Sequence, residues 1–335
     1  MPVSTPNGLD AGSGYDGTPV TITNRAPLLK SILLAAALLA CALLLFWLWT
    51  PDKTRQALES RYLAGPGEMR QVAGWRLRMR DTGPGNAPAV ILIHGFGSSL
   101  ETWDAWASAL SAGHRVIRFD LPGSGLSWPD PRDDYRDARS LELIVVLMDQ
   151  AGLQRASIVG HSIGGRLAWT FAARHPERVD KLVLIAPDGF ASPGFAYGQP
   201  AQVPSMLALM RYVLPKPLLR MNLQPAYADR TALTDDVVTR YHDLLLAPGA
   251  RDAMLARMRQ TVLVDPRPLL ETIRAPTLLL WGESDAMIPV ENSSAYLAAL
   301  PQSRLVALPG VGHLPQEEAA AASLAAVSAF LDERR

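Results

Sequence analysis

The longest apolar stretch of the chain lies near its N-terminus. Residues 32–49 include no polar side chain among their 18 positions. A helix of this length measures roughly 27 Å, close to the hydrocarbon thickness of a bilayer. Trp47 and Trp49 lie at its C-terminal end, and indole rings favour the membrane interface. The pattern predicts one transmembrane helix over residues 28–50, and therefore a single-pass membrane protein.

Two processed forms of the N-terminus compete with this uncleaved anchor. The apolar core of a signal peptide usually spans about 7–15 residues and ends in a small-residue cleavage site. Residues 32–49 are longer and end in Phe-Trp-Leu-Trp. Residues 38–41 loosely resemble a lipoprotein signal, but the apolar stretch continues past Cys41. The uncleaved anchor is the better interpretation.

The charges that flank the apolar stretch do not show which way the predicted helix is oriented in the membrane. Arg25 and Lys30 precede it, and Lys53, Arg55 and Arg61 follow it, which is no decisive asymmetry under the positive-inside rule. The chain has 28 arginines and 4 lysines, a ratio typical of GC-rich bacterial genomes. The expected membrane is therefore the bacterial inner membrane, and the side on which the rest of the chain lies stays open.

The segments on either side of the apolar stretch show no periodic pattern. Residues 1–27 are rich in Gly, Pro, Ser, Thr, Asn and Asp. Such a composition cannot bury enough apolar surface to offset its ordering entropy. We therefore expect a disordered tail over residues 1–27, and we interpret residues 51–67 as a linker.

Over residues 68–333, short apolar stretches alternate with stretches of helical length. Residues 89–93 (AVILI) are continuously apolar, as expected for a strand covered on both faces, and residues 71–80 could form one or two strands. This alternation predicts an α/β domain with a mostly parallel, doubly wound sheet. The further strand-like stretches are residues 115–119, 156–159, 182–185, 277–281 and 305–307, and the helical ones are residues 140–150, 165–174 and 290–300.

One long segment interrupts the alternation. Between Asp188 and about residue 274 no strong strand is apparent. Thr234, with two aspartates directly after it, is a favourable helix start. Because the segment is too long for a loop in a compact domain, we expect a helical cap at about residues 189–272, inserted between two strands. Its proline-broken helical pieces are residues 204–213, 234–246 and 250–262.

Composition excludes several classes of function. Lys plus Arg and Asp plus Glu both number 32, and no basic patch is obvious, which argues against nucleic acid as the main partner. Cys41 is the only cysteine, so no internal disulfide and no cysteine-based metal site can form. Since the sequence has no metal-ligand cluster and no phosphate-binding loop, we expect no metal or organic cofactor.

The residues Gly160 to Gly164 read Gly-His-Ser-Ile-Gly, between a predicted strand and a predicted helix. This is the G-x-S-x-G pattern in the strand–turn–helix context that a nucleophilic serine requires. The serine must lie on a very sharp turn, and side chains two residues to either side would collide, so glycine occupies both places. The pattern predicts Ser162 as a nucleophile.

The partners that such a serine needs follow in the order acid, then histidine. Asp285 and His313 each follow a predicted strand, and the carboxyl ends of the strands in a doubly wound sheet meet at one edge. We therefore expect His313 to accept the proton of Ser162, and Asp285 to hold the imidazole ring. Glu283 and Asp188 are the rival acids.

A negatively charged oxygen that develops during acyl transfer needs two fixed donors. We assign this oxyanion hole to the backbone N–H groups of Phe96 and Ile163, with Gly95 allowing the close approach of the loop. His94 is expected to be structural, and His161 is expected to shape the site. The remaining histidines are expected at the surface or at helix ends: His114, His175 and His242.

Together these motifs resemble those of the α/β-hydrolase superfamily over about residues 68–333. The resemblance implies the fold, the Ser–Asp–His triad and a structural role for the loop that begins at Asp120. Since Ser162 replaces the aspartate nucleophile of haloalkane dehalogenases and epoxide hydrolases, those two chemistries are disfavoured. The matching segments are His94-Gly95-Phe96-Gly97, Asp120-Leu121-Pro122-Gly123-Ser124-Gly125, the turn Gly160 to Gly164 around Ser162, Gly282 to Asp285 with Pro289, and Gly312-His313.

An apolar N-terminal helix before such a core is similar to the arrangement in monoacylglycerol-lipase-type and carboxylesterase members. This resemblance implies an esterase or lipase acting on apolar acyl esters or lipid-like substrates. Methionines fill adaptable apolar surfaces, so those of the cap would suit an acyl chain, although they would equally suit a helical core. They are Met206, Met210, Met221, Met254 and Met258.

Two other functions stay open at this point. Similar capped members hydrolyse a carbon–carbon bond in diketone products of ring cleavage, which are anionic and would need a polar or cationic cap. Arg211, Arg220 and Arg251 leave that reaction possible. A ligand sensor without catalysis is the third alternative, and the complete triad disfavours it.

Overall fold

The computed structural model describes residues 1–2, 14, 26–191 and 196–333. Most of the predicted tail, residues 1–27, lies outside these described residues. The chain forms two compact units, Met1–Leu48 and Trp49–Arg335. All the predicted chemistry lies in the second unit.

Within the first unit, the helix α1 (Ala26–Leu48) covers most of the predicted span over residues 28–50. Its segment Lys30–Leu48 has a mean hydropathy of 2.6, and none of it is buried. By length and composition this helix can cross a membrane, although a signal sequence near an N-terminus has the same properties.

The second unit is built on an eight-stranded sheet with the order β1-β2-β4-β3-β5-β6-β7-β8. The strand β2 is antiparallel to its neighbours β1 and β4, and the other pairs are parallel. The predicted mostly parallel α/β sheet is confirmed, and residues 71–80 contribute to two strands. The strands are β1 (Met69–Val72), β2 (Trp75–Thr82), β3 (Ala89–Ile93), β4 (Arg115–Phe119), β5 (Ala156–His161), β6 (Val179–Ile185), β7 (Thr277–Gly282) and β8 (Ser303–Leu308).

Helices cover both faces of this sheet. Alternate side chains of β3 belong to two different apolar cores: Ile91 to the first and Leu92 to the second. The first core includes α4, α5 and α10, and the second includes α3 and α12. Burial on both faces explains why β3 is apolar at every position. Outside the cap, the described α-helices of the second unit are α2 (Arg55–Tyr62), α3 (Asp104–Leu110), α4 (Asp137–Gln150), α5 (Ile163–Arg174), α10 (Ser293–Ala299), α11 (Pro315–Glu318) and α12 (Ala320–Asp332).

A helical cap lies between β6 and β7, where the sequence predicts it. It contains the 3₁₀ helix Ser205–Arg211 and the helices α6 (Lys216–Leu223), α7 (Asp235–Leu245), α8 (Ala250–Gln260) and α9 (Arg267–Leu270). The hydroxyl of Thr234 accepts a hydrogen bond from the Val237 N–H, as expected for the first residue of a helix. Helix α6 lies outside the predicted helical pieces of the cap, and its Pro217 lies in the first turn, where proline is tolerated.

Residues 51–67 differ from the expected linker, because they form part of the folded second unit. They contain α2, whose Leu58 is buried. The buried carboxylate of Asp243 in α7 binds Lys53 at 2.6 Å and Arg61 at 3.0 Å. The guanidinium of Arg251 in α8 binds the Asp52 carboxylate at 2.6 Å. The sequence could not reveal these contacts, since the partners are separated by more than 180 residues.

Candidate active site

Ser162 lies at the turn between β5 and α5, with φ 55° and ψ −121°. Non-glycine residues rarely adopt this region, so the backbone is strained there. A Cβ on Gly160 would collide with the backbone of Gly164, and a Cβ on Gly164 would collide with the carbonyl of Ile93. The two glycines therefore permit the turn that brings Ser162 out of the sheet edge.

The loops after β7 and β8 bring the predicted acid and base together. The Nδ1 atom of His313 lies 2.7 Å from Oδ2 of Asp285, and both side chains are buried. The other oxygen, Oδ1, accepts hydrogen bonds from the N–H groups of Met287 (2.8 Å) and Ile288 (2.9 Å). The Asp285 carboxylate is thus held in one orientation, with Oδ2 turned to the ring. This geometry can fix the tautomer that has Nδ1 protonated and Nε2 free.

The rival acids are directed elsewhere. The side chain of Glu283 is exposed. The carboxylate of Asp188 binds the buried guanidinium of Arg166, a residue of the first turn of α5, at 2.7 Å. Asp285 is therefore the carboxylate that the structure pairs with His313.

His161, next to the nucleophile, supports the histidine loop. Its Nε2 donates to the backbone carbonyl of His313 at 2.8 Å, and the two ring centroids are 4.6 Å apart. Burial, followed by the proximity of His313, lowers the pKa of His161 well below its usual value. A neutral ring here avoids repulsion when His313 takes up a proton, which fits the predicted shaping role.

The loop after β3 approaches the nucleophile closely. A Cβ on Gly95 would lie 2.6 Å from His161 Nδ1 and 3.2 Å from the Ser162 Cβ, so only glycine fits without displacement. Ile163 is the first residue of α5, and its N–H therefore has no partner within the helix. Phe96 and Ile163 both line a small cavity at this turn, and their role as the oxyanion hole stays a prediction.

His94 links this loop to the loop that begins at Asp120. Its Nδ1 donates to the Gly95 carbonyl at 2.8 Å, and its Nε2 accepts from the Leu121 N–H at 2.9 Å. The Asp120 carboxylate accepts from the N–H groups of Leu100 and Leu126. Both side chains are fully engaged in holding loops, as expected for structural residues.

We expect the stability of the protein to fall in acid because of His94. Burial lowers the pKa of His94 from 6.5 to about 4, so the folded state resists a proton that the unfolded state accepts. The neutral ring contributes about 3 kcal/mol above pH 6.5, and this contribution is lost as the pH falls towards 4. Urea unfolding of the full chain between pH 7.5 and 4.5 measures the loss. In His94→Gln the pH dependence should be shallower, and equal slopes for the two proteins would contradict the assignment.

Ser162 and His313 open into one cavity of about 260 Å³, which reaches from the sheet edge into the cap. Phe96 and His161 also line it. Most of its wall is aliphatic or thioether, from Met210, Leu214, Leu219, Leu223, Leu245 and Met254. Of the five cap methionines, Met210 and Met254 line this cavity, whereas Met206 and Met221 are exposed and Met258 is not among its lining residues.

No sequence motif predicts several polar residues of this cavity. The hydroxyl of Tyr241 in α7 donates to Glu317 Oε1 at 2.8 Å and lies 3.5 Å from the Ser98 hydroxyl. This connection joins the cap, the loop after β3 and the helix that follows His313. Asn222 adds an amide to the wall. Because the partners are distant in the chain and belong to no local motif, only the fold reveals them.

From the sequence, three arginines of the cap could bind an anionic substrate. In the structure all three form ion pairs outside this cavity. The guanidinium groups of Arg211 and Arg220 pair with Asp252 and Asp235. Arg251 binds Asp52 and the backbone of the cap. A different cation, Arg257, is buried in a small adjoining cavity beside Phe96 and Ile163.

The remaining histidines only partly match the prediction. His175 caps the C-terminal end of α5 and is half-buried, as expected for a helix-end residue. His114 and His242 are buried, which corrects the expectation that they could lie at the surface. His242 Nε2 donates to the Leu214 carbonyl at 2.8 Å, so it lies in the last turn of α7 but inside the cap.

Comparison with known proteins supports this description. The family model described as the alpha/beta hydrolase fold matches residues 88–320. An uncharacterized protein of Mycobacterium tuberculosis is 32% identical over 297 residues, 84% of this chain and 86% of that protein. The 2-hydroxy-6-oxo-6-phenylhexa-2,4-dienoate hydrolase of Burkholderia cepacia is 28% identical over 256 residues, 74% of this chain and 88% of that protein. The crystal structure of a bacterial membrane phospholipase A superposes with a TM-score of 0.69 at 26% identity, covering 92% of this chain and 98% of that chain.

Proposed function

The chain belongs to the α/β-hydrolase fold family, and from this premise we propose that it hydrolyses carboxylic esters of apolar acyl groups. The observation that carries the proposal is the cavity at Ser162, whose wall is mostly aliphatic or thioether. No arginine or lysine of the described residues lines it. Removing an uncharged acyl chain from water into such a cavity is favourable, whereas a charged group would lose its hydration there without a compensating partner.

In the proposed reaction, the Ser162 hydroxyl attacks the ester carbonyl carbon while His313 Nε2 takes the hydroxyl proton. The N–H groups of Phe96 and Ile163 stabilise the oxyanion of the tetrahedral intermediate. His313 then gives the proton to the departing alcohol, and an acyl-enzyme forms on Ser162. A water molecule, deprotonated by His313, attacks this ester, and the acid leaves as Ser162 regains its proton.

We also propose that α1 remains on the mature protein and holds it in the membrane, which makes lipid-like esters the natural substrates. The length and hydropathy of α1 support this anchoring. The similarity to a membrane phospholipase A extends over 92% of the chain, and therefore beyond the catalytic core.

Narrowing the cavity should change the preferred length of the acyl chain. Wild-type full-length protein in detergent is expected to prefer p-nitrophenyl esters of medium length, because 260 Å³ is slightly below the usual range of about 300–1,000 Å³ for ligand pockets. Leu219→Trp fills part of the wall and should lower kcat/KM for long chains by about 10- to 100-fold relative to butyrate.

Leu218→Trp is the matched control, because Leu218 is the neighbouring leucine of α6 and is exposed. We expect this variant to keep the wild-type chain-length profile. Identical profiles for Leu219→Trp and wild type would refute the acyl-chain role of the cavity. The absence of ester turnover by folded wild-type protein would refute the proposed function itself.

Hydrolysis of a carbon–carbon bond is the second candidate, and Arg257 is the observation that favours it. This guanidinium is buried, donates to the Pro122 carbonyl and pairs with no carboxylate of the described residues. It lies in the cavity beside Phe96 and Ile163, where a substrate carboxylate could reach it. An assay with a dienoate produced by ring cleavage distinguishes the two reactions. Turnover of the dienoate that exceeds the turnover of every ester would favour carbon–carbon bond hydrolysis.

A further inference from the structure

The outer surface of the cap carries large apolar side chains that the second unit leaves uncovered. We define the cap face as Trp49, Met206, Leu209, Tyr212 and Met221. Their exposures are 55%, 75%, 57%, 59% and 63%, respectively. Scattered single apolar residues are normal at a protein surface, but a group of this kind indicates an interaction site.

Backbone contacts bring Trp49 and Tyr212 of the cap face into one region. Trp49 forms an antiparallel β-bridge with Val213, and the Thr50 N–H donates to the Tyr212 carbonyl at 2.7 Å. Met206 and Leu209 are three residues apart in the 3₁₀ helix Ser205–Arg211, where side chains with this spacing lie above one another.

The inner side of the same cap segments forms part of the wall of the Ser162 cavity. Met210, directly after Leu209, lines the cavity. Leu219 and Asn222 of α6 also line it, whereas Met221 of the same helix is exposed. The cap face is therefore the outside of the wall whose inside would contact an acyl chain.

The position of Trp49 directly after α1 indicates which partner covers the cap face. Trp49 directly follows Leu48, the last residue of α1. The Trp49–Val213 bridge therefore ties this edge of the cap to the residue that leaves the apolar helix. Tryptophan and tyrosine favour the headgroup region of a bilayer, and the cap face contains one of each.

We propose that the cap face is a membrane-docking surface, which lies in the headgroup region of the bilayer that holds α1. This inference rests on the anchoring stated under the proposed function and extends it to the site. With the cap face in the lipid, the wall of the Ser162 cavity lies at the membrane surface, and an ester lipid reaches the serine without crossing water.

Fluorescence measured at single positions of the full chain tests the docking. In a Cys41→Ser background, Met206→Cys and Met221→Cys are labelled with the polarity-sensitive fluorophore NBD and reconstituted into phosphatidylcholine vesicles. Gln302→Cys is the control, because Gln302 is exposed just before β8, at the sheet edge opposite the site. Blue-shifted emission and quenching by headgroup spin-labelled lipid are expected at positions 206 and 221, and not at 302.

Absence of lipid quenching at positions 206 and 221 would overturn the docking. A blue shift that depends on the protein-to-lipid ratio, without quenching by spin-labelled lipid, would also overturn it, because a second copy of this chain would then cover the cap face.

Activity gives a second, independent test. The double variant Met206→Glu/Met221→Glu should hydrolyse an ester lipid in vesicles about tenfold more slowly than wild type, since two exposed apolar side chains that would contact lipid are replaced by carboxylates. Its turnover of soluble p-nitrophenyl butyrate should be unchanged, because neither methionine lines the cavity. Leu297→Glu is the matched control: Leu297 is an exposed leucine of α10, outside the cap.

The two proposals fail in different ways. Equal vesicle turnover by wild type and the double variant, with butyrate turnover intact, would overturn the docking. Wild-type protein without ester turnover, whose labels are nevertheless quenched by lipid, would overturn the proposed function while the docking stands.

Discussion

Replacing Ser162 by alanine is expected to lower kcat for ester hydrolysis by roughly 10⁴- to 10⁶-fold. In the proposed reaction the hydroxyl oxygen of Ser162 forms the ester bond of the acyl-enzyme, and no other group of the site can form that bond in its place. Binding should change little, because the cavity wall stays intact. The residual rate reflects the oxyanion hole and substrate binding alone. The measurement is steady-state turnover of p-nitrophenyl butyrate by full-length protein in detergent.

A phosphonylating probe adds a direct readout of the same variant. Wild-type protein should be labelled at one serine, and peptide mapping should locate the label on Ser162. Ser294→Ala is the control, since the Ser294 hydroxyl is exposed and donates only to the Glu291 carbonyl, and it should keep full labelling and activity. If Ser162→Ala retained more than a tenth of the wild-type rate, the nucleophile would have to be another residue.

Much of the site could be predicted because its motifs are local. A serine at the turn after β5 needs glycine at position 160, because a Cβ there would collide with the backbone of Gly164 in the same turn. It needs glycine at position 164, because a Cβ there would collide with the backbone at the end of the neighbouring strand β3. The parallel sheet then places the ends of β7 and β8 at the same edge, which explains why the order of strands could place Asp285 and His313 near each other, with Glu283 and Asp188 left as rival acids.

The contacts of residues 51–67 could not be predicted, because they depend on distant partners. Asp243 gives no sign in the sequence that it binds Lys53, Arg61 and Tyr62 from inside the cap. Burial of His242 has the same origin, because the carbonyl that it binds belongs to Leu214, 28 residues away. A local sequence pattern predicts helices and strands. The packing of the cap depends instead on pairs of residues that are distant in the chain and meet only in the folded protein.

Replacing Asp285 by asparagine is expected to lower kcat by about 10⁴-fold while the fold stays intact. The two N–H donors of Met287 and Ile288 both point at Oδ1, so an asparagine must place its carbonyl oxygen there. Its NH₂ group then faces His313 Nδ1 at the former position of Oδ2. That NH₂ can only donate, so Nδ1 must accept, and the ring proton moves to Nε2. An Nε2 that carries a proton cannot take the proton of Ser162.

The outcome of this variant separates Asp285 from the rival acids. Glu283→Gln makes the same chemical change two residues away on an exposed side chain, and it should leave kcat within about twofold of wild type. Asp188→Asn breaks the pair with Arg166, and it should affect stability more than the pH profile of kcat. If Asp285→Asn kept its activity and Asp188→Asn lost it, the catalytic acid would have to follow β6. A loss confined to Asp285→Asn means that the orientation of Oδ2, held by two backbone donors, sets the protonation state of His313.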